Sequence, residues 1–390
     1  MPRFPRNVVL LAVTSFLADI SGEMLQAVFA FLLVLQGASG LAIGLTGGVS
    51  EAVGHLLKPV FGAVADRKHA RRKPLVIGGY VLAALSRFGI ALSTFWVPSL
   101  AFRSVDRVGK GMRTAPRDAI LAESANAGSR GSTYGLHRAA DTAGAVVGVS
   151  LALVGIVWFG LAQDGLDRVV LVAAFVGLST LIPLSMVRDV DPASGTMKGL
   201  FEAPSPRYRA FLVVAGIFAL GQVSYLFYIL RASHQVGGPV VAVLLYLLFN
   251  IVYAALALPL GWLSDRLGHA RMLAGGAVLF SASAILLTGS PGLSLAVLSF
   301  VLLGLAFAAT DGVQRALAAD LAGTASRSTR LGLFHMTIGI ATIVGGITAG
   351  WLWDALGEGA TFVWGAVLPL VALALFAGLG FIGGRERTLA

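Results

Sequence analysis

Asp19, Glu23, Glu51, His55, Lys58, Arg103, Arg107 and Lys110 are ionisable residues lying in stretches that are otherwise almost wholly apolar. At 100° per residue, Ser15, Asp19, Gly22, Glu23 and Gln26 fall on one face of a helix, and Glu51, His55 and Lys58 follow at i, i+4 and i+7 on another. Arg103, Asp106, Arg107, Lys110, Arg113, Arg117 and Asp118 share a third. Carboxyl and imidazole groups in this setting can carry protons, and the cations beside them can hold an anion. His55 reads equally as a proton carrier or as a neutral hydrogen-bond partner of Glu51. Asp19, Glu23, Met24, Glu51 and His55 also offer oxygen, nitrogen and thioether ligands to a divalent metal, an alternative that the many neighbouring cations oppose. No nucleotide-binding loop, zinc-binding helix or nucleophile elbow is present, so an intramembrane enzyme or a non-transporting sensor is only a remote alternative.

These side chains need elements able to hold charge away from water. The chain has 390 residues, 57% hydrophobic and 12% charged, with a mean hydropathy of +0.84. Soluble domains carry about 25% charged residues. Apolar runs of roughly 20 residues recur, each long enough to cross a hydrocarbon core about 30 Å thick. The runs are continuous rather than alternating, which excludes a barrel and predicts a helix bundle. Expected spans are 8–35, 41–64, 74–96, 98–121, 134–160 and 168–187, then 208–233, 239–263, 271–289, 293–317, 330–353 and 360–382. An unpaired Asp, Lys or Arg at mid-membrane costs roughly 2.5–3.5 kcal/mol on insertion scales, so the charged stripes must be paired or hydrated.

Nearly all loop Lys and Arg fall on one side if the amino terminus is cytoplasmic, with essentially only Arg168 opposite. The bias predicts cytoplasmic termini and explains the surplus of basic charge without nucleic acid. The polar stretch from Arg188 to Arg207 reads as a cytoplasmic linker between a first bundle, 1–187, and a second, 208–390. Internal repetition supports that division. GAVADR at Gly62 to Arg67 returns as GWLSDR at Gly261 to Arg266, and Glu123, Arg130, Gly135 and Arg138 return as Asp320, Arg327, Gly332 and His335, all displaced by 197 residues. Cysteine is absent, so disulfides and thiolate metal sites are excluded.

GAVADRKHARR resembles the loop signature between helices 2 and 3 of the major facilitator superfamily, with His69 where the second Gly belongs; the repeat copy keeps that Gly as Gly268. RSVDRVGKGMRTAPRDA, Arg103 to Ala119, resembles the family's fourth-helix motif. With DISGEM in helix 1 and LHRAADTAGAVVG in helix 5, the chain is similar to a common group of bacterial permeases. Gly144 and Gly148 resemble the antiporter motif of helix 5, with Val149 in place of its Pro. The resemblance implies an all-α membrane protein of twelve helices in two six-helix pseudo-symmetric bundles. It further implies a solute site near the midplane between repeated halves, alternating access, and a gating role for Gly62, Asp66, Arg67, Arg71, Asp265 and Arg266.

The expected activity is proton-coupled secondary transport, not enzymatic chemistry, of a small polar or amphiphilic solute, with export favoured over import. Eight bases (Lys58, Arg87, Arg103, Arg107, Lys110, Arg113, Arg117, Arg138) against six acids (Asp19, Glu23, Glu51, Asp106, Asp118, Asp141) leave a net of +2, which tilts the solute towards an anionic group. Candidates in the second half are Tyr225, Asn250, Tyr253 and Asp311, with Gln222, Tyr228, Tyr246, Gln314 and Arg315 as further interior residues. Expected partners are the solute, protons and the lipid bilayer of a bacterial inner membrane, with no nucleic acid, no cofactor and a monomer as the working unit. A single cysteine placed in the Arg188 to Arg207 stretch of this cysteine-free chain is expected to stay unlabelled by an impermeant thiol reagent in intact cells. Labelling there overturns the topology.

Overall fold

The computed structural model describes residues 4–65, 71–125, 130–189, 204–290, 292–322 and 327–382, and every regular element among them is helical. The order is α1 (Arg6–Leu35), α2 (Gly40–Ala65), α3 (Arg72–Ala91), α4 (Trp96–Ser124), α5 (Arg130–Phe159), α6 (Gln163–Ser179) and a short α7 (Leu181–Ser185). Then come α8 (Pro206–Gly221), α9 (Tyr225–Ala232), a π-turn (Ser233–Gly237), α10 (Gly238–Leu267), α11 (His269–Ile285), α12 (Leu293–Ala322), α13 (Arg327–Leu356) and α14 (Glu358–Gly378).

Among the described residues eight stretches are long and apolar enough to cross a membrane, one of them 206–267, which contains α8, α9 and α10. α2 and the charge-rich α4 are not among them, and α11 has only 17 residues. The expected seventh span is broken at 222–224. Gln222 leaves the helical region, and the Ser224 hydroxyl accepts from Leu226 N–H at 3.4 Å to restart the helix as α9. Gly237 and Gly238, with φ of 153° and 82°, supply the turn into α10. Large apolar side chains stay uncovered along these helices: Trp158 is 80% exposed, Ile182 69% and Val157 67%. A lipid solvent accepts such surface and water does not.

The chain divides into two compact units, Met1–Ser39 with Val49–Met197, and Gly40–Gly48 with Lys198–Ala390. In the first, α1 packs against α5 and α6 while α3 packs against α4 and α6. The close approaches are made by glycines. A Cβ on Gly144 would stand 2.5 Å from Phe16 O, and one on Gly148 2.5 Å from Ile20 O, so the pair expected from the antiporter-like motif acts in the fold as the α1–α5 contact. Gly79 and Gly109 do the same between α3 and α4, at 2.6 and 2.5 Å from each other's carbonyl oxygen.

In the second unit α11 packs on α12 and α14, α10 on α12, and α8 on α13 and α14. Its core is aromatic, with Phe211 stacked on Phe334 at 5.9 Å and Phe376 on Phe381 at 4.7 Å. Gly40–Gly48, the opening turns of α2, belong to this unit. Asp354 accepts from the backbone N–H groups of Gly40 and Leu41 at 2.7 and 2.8 Å and so caps the start of α2. The repeat seen in sequence has a structural counterpart. Arg72 lies 2.6 Å from Glu123 in the first unit, and His269 lies 2.9 Å from Asp320 in the second, both partners displaced by 197 residues.

Gly148→Val is expected to lower stability by about 1–3 kcal/mol, because its Cβ meets backbone rather than the end of a flexible side chain. Gly54→Ala, where a Cβ meets nothing within 4 Å, is the control and is expected to cost nothing. The thermal unfolding midpoints of both variants in detergent check the pair.

Candidate functional site

The close α3–α4 approach brings Arg87 and Asp106 together at the centre of the first unit. Arg87 Nη2 donates to Asp106 Oδ1 at 3.0 Å and Arg103 Nη1 to Asp106 Oδ2 at 3.3 Å, and all three side chains are 4–5% exposed. Arg103 also donates to Gln26 Oε1 on α1 and lies 5.2 Å above the Phe29 ring, while Arg87 donates to the Ser21 hydroxyl. One buried carboxylate thus binds α3 to α4, and two guanidiniums tie both to α1. Asp106 and Arg103 are fully engaged with the protein, which makes this part of the stripe a fixed joint.

One turn along, the pairing loosens. Arg107 Nη2 meets Glu51 Oε1 at 2.8 Å, with the arginine 10% and the glutamate 41% exposed. The charged groups acting on Glu51 are Arg107, Lys110, His55 and Arg103; those acting on Asp19 are Asp141, Lys110, Glu23 and Arg117. The fold therefore gathers Asp19, Glu23, Glu51, His55, Arg107 and Lys110 from α1, α2 and α4 into one ionisable cluster. Asp19, Glu23, Glu51, His55 and Lys58 are half-buried and Lys110 is exposed, so these groups border open space. Among the described residues no three His, Asp or Glu side chains converge as a metal site, and Met24, with 2% exposure, is packed in the core.

A third group lies among α1, α4 and α5. Arg117 bonds Asp118 at 2.9 Å and donates to the Ser15 hydroxyl at 2.9 Å; Ser15 Oγ also meets His137 Nε2 at 2.8 Å, and His137 Nδ1 lies 3.5 Å from Asp141 Oδ2. Arg113, 7% exposed, lies 4.4 Å above the Tyr80 ring. His137 and Tyr80 were not among the sequence candidates, because Ser15, which meets His137, and Arg113, which lies over Tyr80, are on other helices.

In the second unit Tyr253 donates to Asp311 Oδ2 at 2.8 Å, and Arg315 Nη2 meets the same oxygen at 3.0 Å. Tyr225 faces Tyr246 at 5.9 Å, and Tyr246, Phe249 and Tyr253 follow as successive stacked rings at 5.6 and 6.2 Å. Tyr225 and Tyr253 are half-buried and Asp311 is exposed. Asn250, 6% exposed, turns its amide onto Tyr246 O of its own helix at 3.0 Å. Tyr228 is fully buried between Phe300 and Phe362, so it packs the core and lines no cavity. Arg231, passed over in sequence, is 6% exposed and bonds Leu287 O, Gly289 O and Glu358, at 2.8 Å to the last.

Of the expected gating residues, Asp66 and Arg67 lie outside the described residues. Gly62 lies near the end of α2, and Arg71 is exposed just before α3. Asp265 and Arg266 close α10, with Asp265 Oδ1 3.5 Å from His269 Nε2. Asp106→Asn, which leaves two guanidiniums sharing a neutral amide, is expected to cost about 3–5 kcal/mol of stability, whereas Glu51→Gln, at a half-exposed pair, is expected to leave folding intact. Yield and unfolding midpoint of the two purified variants check the contrast.

The sequence profile of the Major Facilitator Superfamily matches residues 11–234 and 210–388. An uncharacterised MFS-type transporter of Methanocaldococcus jannaschii is 35% identical over 378 residues, covering 94% of this chain and 93% of that protein. Multidrug resistance protein MdtH of Escherichia coli is 26% identical over 366 residues, covering 90% and 86%. Among solved structures, the nucleoside transporter NupG superposes with a TM-score of 0.80 over 96% of this chain and 100% of that one at 16% identity. A bacterial homologue of the human lysosomal transporter Spinster gives 0.75 over 97% and 98%, also at 16% identity, and at that identity both likenesses speak for the fold alone. With apolar helices throughout and a profile match along nearly its whole length, the chain is a multi-pass membrane transporter and belongs to the Major Facilitator Superfamily.

Proposed function

We propose that the protein is a proton-coupled secondary transporter of the plasma membrane that exports a small polar or amphiphilic solute bearing an anionic group. The single observation that carries the reading is the cluster of half-buried Asp19, Glu23, Glu51 and His55 with buried Arg107 and exposed Lys110, bordering open space inside a transporter fold. A carboxylate that needed only a structural partner would be closed in, as Asp106 is. Charges left in reach of a solute can exchange partners with it.

The excess of cations in the first unit supports an anionic solute group, which would meet Lys110 and Arg107 in place of Glu51. In the second unit, Tyr225, Tyr253 and Asp311 supply an aromatic surface and hydrogen bonds. Export is supported by the likeness to a protein named for multidrug resistance. In this reading the polypeptide crosses the membrane twelve times: α2, α4 and α11 join the eight apolar stretches, and α8–α9 and α10 count as separate passes. The bundles 1–187 and 208–390 are joined by a cytoplasmic linker, both termini are cytoplasmic, and Asp66 and Asp265, the latter at the end of α10, serve the gate on that side. The positive-inside bias supports this orientation.

The coupling acid is Asp19 or Glu23. A solute anion that competes for Lys110 and Arg107 changes the charge seen by both acids, which links proton release to solute binding without a long-range pathway. Asp19→Asn or Glu23→Gln is expected to abolish gradient-driven accumulation while retaining solute exchange, since exchange needs no net proton movement. Inverted vesicles presented with a broad metabolite panel, with and without a proton gradient, provide the measurement. Accumulation against the gradient by both variants moves the proton site to Glu51 with His55.

A further inference from the structure

His137 stands apart from the cluster above. It is 5% exposed in α5, and each ring nitrogen has a partner on its own side: the Ser15 hydroxyl of α1 at 2.8 Å from Nε2, and Asp141 Oδ2, one turn along α5, at 3.5 Å from Nδ1. Ser15 is 1% exposed and shares a helix face with Asp19. Asp19 in turn lies against α5, its Cβ 3.1 Å from where a Cβ on Gly144 would stand, and Asp141 heads the charged groups acting on it. The other oxygen of Asp141, Oδ1, is buried and has no hydrogen-bond partner among the described residues. A buried carboxylate oxygen without a donor is expensive as a purely structural feature, and it leaves negative charge beside the His137 ring that a proton there would offset.

We propose that His137, set between Ser15 and Asp141, is a second proton-binding site of the first unit, working in series with Asp19. The two states are both accommodated by the same three residues. With a neutral ring, the Ser15 hydroxyl donates to Nε2 while Nδ1–H points at Asp141. When Nε2 takes up a proton, the ring donates on both sides, to Ser15 Oγ and to the Asp141 carboxylate. Ser15 then only accepts, from His137 and from Arg117 Nη1, which its two lone pairs allow. No side chain has to leave its place, only the serine hydroxyl rotates.

The charges facing this site are Asp19 from α1, Arg117 and Asp118 from α4, and Arg138 and Asp141 from α5 itself. Asp19, Asp118 and Asp141 are the acids among them, and Arg117 and Arg138 the bases. Protonation of Asp19 removes one of these three acids, so the charge on His137 follows the state of Asp19 through space alone. A tie that served only to hold α1 on α5 would not need a titratable ring, because an amide would bridge serine and carboxylate as well.

The inference rests on proton coupling as read above, and the test is chosen to separate the two. The full chain, labelled with 15N-histidine and held in lipid nanodiscs, has six histidines, and His137→Gln identifies the resonance of interest by its loss. On going from about pH 8.5 to about pH 5, the His137 ring is expected to pass reversibly from one protonated nitrogen to two. At one fixed pH in that range, Asp141→Asn and Asp19→Asn are each expected to change the doubly protonated fraction by about threefold or more, equivalent to about half a pK unit. Ser15→Ala removes one oxygen from a packed position and carries the same test if either Asp variant fails to reach the membrane. A ring that keeps one proton throughout, or one indifferent to Asp141, Asp19 and Ser15, overturns the proposal. A silent His137 in a chain that still accumulates solute on a proton gradient overturns this site alone. A responsive His137 in a chain indifferent to the gradient overturns proton coupling and leaves the site standing.

Discussion

Asp106 accepts from Arg87 and Arg103 where neither water nor lipid can replace either partner. The helices around it are apolar because they live in a membrane, yet among the described residues the first unit contains five guanidiniums, of Arg72, Arg87, Arg103, Arg107 and Arg113, each at least nine-tenths buried. A charge in that setting must be matched nearby. The matches come from different helices: Asp106 on α4, Gln26, Ser21 and Phe29 on α1, Tyr80 on α3 and Glu51 on α2. Helix packing and charge pairing therefore impose each other, since glycines at Gly79 and Gly109 let α3 and α4 approach closely enough for the central pair to form.

From that fixed centre the pairing grades outward into groups that are less enclosed. Arg87–Asp106–Arg103 is shut, Arg107–Glu51 is half open, and Lys110 is exposed. The gradient separates structure from function along one stripe. Enclosed pairs cannot exchange partners without unfolding the joint, whereas open ones can answer a solute or a proton. The Ser15–His137–Asp141 group is enclosed yet retains an oxygen with no hydrogen-bond partner among the described residues, which sets it apart from the joint it borders.

The second unit solves its packing differently. Its core is built from aromatic rings, and its polar groups form small local sets: Tyr253 with Asp311 and Arg315, Arg231 with Glu358, His269 with Asp320. The Arg72–Glu123 and His269–Asp320 pairs keep one common device at equivalent places in two units that otherwise diverged in content. Duplication thus preserved helix order and an interhelical tie, and left the interior side chains free to specialise.

The amino-acid sequence by itself determined the solvent, the helical character and the repeat, because a window of about twenty apolar residues and an offset of 197 are local, one-dimensional facts. It also determined that Asp19, Glu51 and Arg107 sit on polar faces, since helical periodicity needs no tertiary information. Which acid meets which base was decided only by the tertiary structure. Asp106 and Glu51 look alike in sequence, yet one is sealed between two arginines and the other half open, because α3 closes on α4 through glycines while the Glu51 face of α2 borders open space. The break at 222–224, the burial of Tyr228 and the contact of His137 with Ser15 were likewise illegible, each depending on residues more than fifty positions away or on a backbone turn that no periodicity records.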